Sequence, residues 1–201
     1  MLHAPHMHPD SSRVVPGFLY GLAASLVFLV HSADAQDVLV NVVREGDFVV
    51  VSASADMPVE RSIAWEVLTN YDRYAEFIPH LRVSRVVSRS GGGLVLEQQG
   101  EFRFLFFRQP LELRLAVTEK PQYLVESRSL SGSLKDLKGN YELHDAPGGL
   151  RLLYSGRFVP DISLPWFIGL FFVRAVIEKE FSALVAEILR RNSEHLRPII
   201  R

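Results

Sequence analysis

Cysteine is missing altogether from the 201 residues of this chain. Its absence excludes disulfides, thiol nucleophiles and Cys-ligated zinc or iron–sulfur sites. An excess of charge of either sign is missing too, with 22 Lys plus Arg against 23 Asp plus Glu. Charge therefore gives no reason to expect a nucleic-acid partner or an anionic surface. The sequence contains no His-Glu-x-x-His, no Gly-x-Ser-x-Gly, no P-loop and no dinucleotide fingerprint. Gly91-Gly92-Gly93 lacks the Gly-Lys-Ser/Thr ending of a phosphate loop and reads as a hairpin turn. Repeats and long low-complexity stretches are also absent. The chain does have apolar area: it is 48% hydrophobic and carries thirteen Phe against two Trp and six Tyr. Phenylalanine buries area without a polar handle, so this skew signals greasy surface rather than chemistry.

Residues 17–30 form a run of fourteen without a charge, short of the ~20 that a membrane-spanning helix needs. The run follows Arg13 and precedes Ala33-Asp34-Ala35, a small-x-small cleavage pattern. Residues 1–35 are expected to be a cleaved secretory signal, which makes the protein exported and periplasmic. An uncleaved membrane anchor is the alternative. Removing the leader balances acidic and basic groups. It also takes four of the seven His (His3, His6, His8 and His31) but only Phe18 and Phe28 of the thirteen Phe. The remaining His80, His144 and His195 have no ligand spacing and read as surface or satisfied histidines. No metal and no other cofactor are expected.

The mature chain divides into a lead (36–47), a folded domain (48–194) and a tail (195–201). Residues 48–55 read as a Val-rich strand. Pro58 precedes a helical pattern with Ile63, Val67 and Leu68 on one face, and a second short helix covers 71–78. The period then switches to two. Strands are expected over 82–88, 94–100, 101–107, 111–118, 122–129, 137–144 and 150–159, separated by Gly- and Pro-containing turns. Leu111, Leu113, Leu115 and Val117 alternate with Glu112, Arg114 and Thr118, and Leu150, Leu152, Tyr154 and Phe158 with Arg151, Ser155 and Arg157, so one sheet face is buried and the other wet. One long helix, about 165–194, ends the domain. Its stripe is Trp166, Leu170, Val173, Ile177, Phe181, Leu184 and Ile188. Beyond Glu178 its other faces, Lys179, Glu180 and Glu187 among them, read as polar. The fold class is α+β: a curved antiparallel sheet gripping a C-terminal helix, with two short helices after the first strand.

Several phrases in this order resemble the START-like (SRPBCC) superfamily of polyketide cyclase/dehydrases and coenzyme-Q-binding START domains. They are the run from Trp65-Glu66-Val67 to Asp72-Arg73-Tyr74 with Phe77-Ile78-Pro79, the Gly91–Gly93 hairpin and Leu137-x-Gly139-x-Tyr141-x-Leu143. Phe158-x-Pro160 leading into Leu164-Pro165 completes the set. The likeness spans about 48–193, with Tyr141 where the family usually has Trp. The resemblance implies a helix-grip fold with a deep cavity between sheet and C-terminal helix, holding a lipid, isoprenoid, sterol or aromatic polyketide.

The residues themselves favour binding over catalysis. Glu97, Gln99 and Glu101 share one strand face, where paired acids do acid–base work or simply meet solvent. Phe102, Phe104 and Phe106 lie on one face of a strand, with Leu105 and Phe107 on the other. With Trp166, Phe167, Leu170, Phe171 and Phe172 they exceed what a compact core needs. The cavity wall is expected at Phe104, Phe106, Leu113, Leu115, Tyr141, Tyr154, Phe158, Trp166, Leu170 and Val173, with Tyr141 or Tyr154 meeting a ligand's polar head. No catalytic residue is assigned. The leading reading is a binding protein for a hydrophobic small molecule or lipid, such as a quinone. One alternative is a cyclase, aromatase or dehydratase using a buried Tyr or Glu. Another is transient membrane or partner contact through 165–173, with Phe167, Phe171 and Phe172 as the rim.

Overall fold

Tight turns between β-branched runs dictate the sheet. The computed structural model describes residues 37–104, 107–160 and 166–197, with the backbone alone at residues 104, 107, 160 and 166–168. The leader, residues 1–35, lies outside them. Eight strands are described: β1 (Leu39–Glu45), β2 (Phe48–Met57), β3 (Leu81–Ser90), β4 (Gly93–Phe104), β5 (Phe107–Lys120), β6 (Leu124–Gly132), β7 (Leu134–Ala146) and β8 (Gly149–Pro160). They form one antiparallel sheet in the order β1-β2-β8-β7-β6-β5-β4-β3. Between β2 and β3 run α1 (Arg61–Thr69), a 3₁₀ turn (Tyr71–Arg73) and the single-turn α2 (Tyr74–Phe77), and α3 (Trp166–His195) closes the chain.

Three details differ from the sequence reading. The lead holds a strand, β1, paired along its length with β2 through the Gly46-Asp47 turn. The strands expected at 94–100 and 101–107 are largely one, because β4 runs unbroken to Phe104. The chain then reverses, so that Phe104 pairs with Phe107. Phe107 therefore opens β5 and is not the end of a Phe-rich strand. Gln109-Pro110, one of the expected Pro-containing turns, lies inside β5. The Glu101 N–H points away to the His80 carbonyl (3.0 Å), so Glu101 and its partner Pro110 form a pair without mutual hydrogen bonds. The N–H that Pro110 lacks would face β6, whose pairing with β5 reaches only to Leu113, so no ladder bond is lost.

Register shifts bend the sheet around α3. They fall within β3–β4, at Arg114/Leu115 between β5 and β6, and at Lys135/Lys138 between β7 and β8, where bulges add twist. At the second of these Gly132 has a φ of 122°, and a Cβ there would overlap the Glu112 carbonyl. Only glycine fits that crossing.

Two apolar clusters fill the concave side. Phe181, Leu184, Val185 and Ile188 of α3 pack with Ala64, Val67 and Leu68 of α1 and with Ala53, Ala55, Leu150 and Leu152 of the sheet. Phe172, Val173 and Val176 pack toward β4, β5 and β6, meeting Leu96, Leu115, Val117 and Val125. Arg61 staples α1 to the sheet, donating to the carbonyls of Gln122 (3.0 Å) and Leu143 (2.6 Å) and to Asp145 Oδ1 (2.6 Å).

Candidate functional site

The second cluster is not solid. Between the concave sheet and the N-terminal half of α3 lies a cavity of about 190 Å³. Leu96, Phe102, Leu111, Leu113, Leu115, Val117, Val125 and Phe158 line it from the sheet, and Phe172, Val173, Val176 and Ile177 from the helix. Alternation places these residues inward: the even positions of β4 and the odd positions of β5 face the helix.

Polar groups enter this wall at few points. Gln98 is buried and donates to Ser84 Oγ (3.3 Å). Ser127 Oγ donates to the Gly139 carbonyl (3.1 Å). The Tyr71 hydroxyl donates to Glu119 Oε1 (2.9 Å), and the Tyr74 hydroxyl to the Leu68 carbonyl (2.7 Å). Tyr141 and Tyr154 are register partners on β7 and β8, with ring centroids 4.8 Å apart. Neither hydroxyl has a hydrogen-bond partner among the described residues.

Glycines set the pose of Tyr154. Gly139 and Gly156 are register partners, and the Tyr154 ring lies along its own strand over them. A Cβ on Gly156 would come within 2.5 Å of the Tyr154 hydroxyl, and one on Gly139 within 3.2 Å. In the phrase Leu137-x-Gly139-x-Tyr141, Gly139 thus leaves room for a second tyrosine.

Glu180 is the one carboxylate on the cavity wall among the described residues. It sits one helical turn beyond Val176, part-buried, with no hydrogen bond or ion pair among those residues. Burial without a partner pushes its carboxyl up to about 7. Burial and then the charge of Glu180 push Tyr154 up to about 12. Burial, aided by Tyr154, Tyr74 and Glu180, holds Tyr141 well above the usual phenol range. No Arg, Lys or His faces the cavity from the described residues.

Of the expected wall, Leu113, Leu115, Tyr141, Tyr154, Phe158 and Val173 come together around this space. The side chains of Phe104 and Trp166, and residue Phe106, lie outside the described residues, as do the side chain of Phe167 and residue Leu105. Leu170 packs against the second cluster without bordering the cavity. Phe172 is not a rim residue: 4% exposed, it turns inward and forms wall, whereas Phe171 beside it is 64% exposed. The polar face expected beyond Glu178 also needs correction. Glu180 borders the cavity, and Glu187 is buried against Arg190 (2.6 Å) and Arg191 (2.8 Å).

Glu97 and Glu101 lie on the outer sheet face. Glu97 meets Arg85 (2.8 Å), and Glu101 meets Arg103 and Arg82. His80 is neither at the surface nor satisfied: it is 9% exposed, packs edge-on against Phe102, and its Nε2 has no partner among the described residues.

The sequence profile of the family described as polyketide cyclase / dehydrase and lipid transport matches residues 57–184, more than half of the chain. The chain belongs to that family. Its fold is the START-like, SRPBCC helix grip, and several solved structures share it. The Zhui aromatase/cyclase from Streptomyces sp. R1128 superposes with a TM-score of 0.62 at 15% identity, over 75% of this chain and 96% of that one. A STAR-related lipid transfer protein fragment from Xanthomonas axonopodis gives 0.59 at 12% identity, over 78% and 94%. A START superfamily protein from Mycobacterium smegmatis gives 0.57 at 12%, over 73% and 98%. No curated protein matches the chain. At these identities the likeness is one of fold. In this family the architecture suits either a hydrophobic ligand or a cyclisation reaction.

Proposed function

We propose that the chain is an exported carrier or receptor that shelters a lipid-, isoprenoid- or quinone-like molecule between its sheet and α3. The observation that carries this reading is the cavity itself, about 190 Å³ of apolar-walled space inside an otherwise filled core. A dry apolar cavity of ~150 Å³ holds a benzene ring. This one therefore has room for a ring or a chain segment, whose transfer from water its wall favours. Membership of a family that includes lipid transport, and the STAR-related fragment among the similar structures, point the same way. Export rests on the leader, residues 1–35; N-terminal sequencing of secreted protein should begin at Gln36.

The test is native mass spectrometry of the purified full chain, paired with organic extraction. Co-purifying hydrophobic molecules, or uptake of added quinones and long-chain lipids at one per chain, are expected. Repeated recovery of empty protein that takes up none of them would overturn the reading. A cyclase or dehydratase is the second reading, favoured by one observation: an unpaired carboxyl, Glu180, beside the free hydroxyls of Tyr141 and Tyr154. It requires turnover of a β-hydroxy ketone probe, with loss of water, by the native chain but not by Glu180→Gln.

A further inference from the structure

A greasy cavity by itself accepts any apolar tail, so the polar groups in its wall must decide which heads may enter with it. Here those groups have one sign and one location. Tyr141, Tyr154 and Ile177 pack against both apolar clusters, which puts the tyrosine pair and the neighbouring Glu180 at the seam between filled core and open cavity. Three polar groups there are unused: two hydroxyls able to donate or accept, and a carboxyl. No cationic side chain of the described residues faces them.

We propose that Glu180, with the hydroxyls of Tyr141 and Tyr154, selects the head group of the ligand. The cluster holds a neutral hydroxyl or carbonyl oxygen and turns away carboxylates and phosphates. This rests on the binding reading above. A neutral hydroxyl donates to the Glu180 carboxylate and accepts from a tyrosine; a carbonyl accepts from the tyrosines or from the protonated acid. Either satisfies groups that otherwise remain unpaired in an apolar wall. An anionic head meets a second negative charge where the dielectric is low and no counter-charge compensates. Discrimination by an unpaired, part-buried charge is a repulsive device, and it adds to whatever the tail contributes.

Among the described residues, the titratable groups that border this seam from other elements are phenols: Tyr74 from α2, Tyr71 from the 3₁₀ turn, Tyr141 from β7 and Tyr154 from β8. All are held above the usual phenol range, first by burial, so they stay neutral through the physiological range. On α3, Glu178 and Lys179 are exposed; Lys179 acts on His80, which does not border the cavity. The charge of the seam is thus set by Glu180, which ionises near neutrality. Rejection of anions should strengthen as pH rises through 7.

The experiment titrates the full chain with 1-decanol, decanoate and decylamine, which share a tail, between pH 6.5 and 8.5. At the alkaline end 1-decanol is expected to bind at least about tenfold more tightly than decanoate, a difference of ~1.4 kcal/mol. Decanoate affinity should fall across the range while decanol affinity stays level, and Glu180→Gln should recover decanoate binding. Equal affinities, parallel pH profiles in the native chain, or an unchanged ratio in Glu180→Gln would overturn the selector role and leave the binding reading intact. Tighter binding of decylamine than of decanol would overturn the neutral-head assignment. Failure of all three probes to bind the folded native chain would remove the binding reading itself. The native pH series decides even if Glu180→Gln does not fold.

Discussion

At the scale of single residues, Glu180 costs stability for its position. In the unfolded chain its carboxyl ionises near 4.5; in the fold burial pushes it up to about 7. Between those values the native state holds the extra proton. The contribution of Glu180 is therefore complete below 4.5 and is lost as pH rises through 7, by on the order of 2–3 kcal/mol. Glu180→Gln, unfolded in urea at pH 4.5 and pH 8, should gain on the native chain by that amount over the interval. A constant difference would mean that the carboxyl is solvated. His80 runs the other way, its pKa being lowered chiefly by burial, so its stabilisation is present above 6.5 and lost on acidification. It is common to both proteins and cancels in the difference. Gly156 is the second informative residue. An added methyl meets the Tyr154 hydroxyl at 2.5 Å, and overpacking of this kind costs ~1–3 kcal/mol. Gly156→Ala should lower the urea midpoint and displace Tyr154, while Gly156→Ala/Tyr154→Leu should regain much of the loss. Additive effects would show that the ring is free to move aside.

At the scale of elements, α3 does two jobs along one stripe. Ile188 and Leu184 are fully enclosed, so Leu184→Ala should cost ~2–5 kcal/mol in urea unfolding. Val176 already faces empty space, and Val176→Ala should cost about half as much or less, because little close packing is lost there. Similar losses at the two positions would argue that the cavity is filled in solution. The stripe was legible from spacing alone, and so was its polar member, since Glu180 follows Val173 by seven residues and Val176 by four. Its charge masks that periodicity and makes it look like part of the wet face. Strand β1 left a comparable trace. Val38, Val40 and Val42 alternate before Gly46-Asp47, a hairpin signal, but as an edge strand with one face exposed and only Val40 and Val42 half-buried on the other it shows little contrast. The tip between Phe104 and Phe107 left none, since an apolar run without Gly, Pro or Asn gives no sign of where it folds back.

For the whole molecule, the order of elements and the alternation of β5 and β8 were enough for the architecture, because a sheet with one greasy face needs a long amphipathic cover. Which side chains reach the cavity was legible on the sheet, where the period of two fixes direction. It was less so on α3, where one step of 100° separates exposed Phe171 from buried Phe172. The unpaired hydroxyls of Tyr141 and Tyr154 were beyond reach, since satisfaction depends on partners from distant strands. The seam at Glu180 divides the molecule in time as well as in space. Amides of 181–189 in α3 are locked to a filled core and should exchange with deuterium only when the whole domain unfolds. Amides of 170–179 border a void and should exchange through smaller openings, orders of magnitude faster. A bound ligand should slow the second set and leave the first unchanged. Uniform slowing along the helix would instead mean that α3 detaches and docks as one rigid rod.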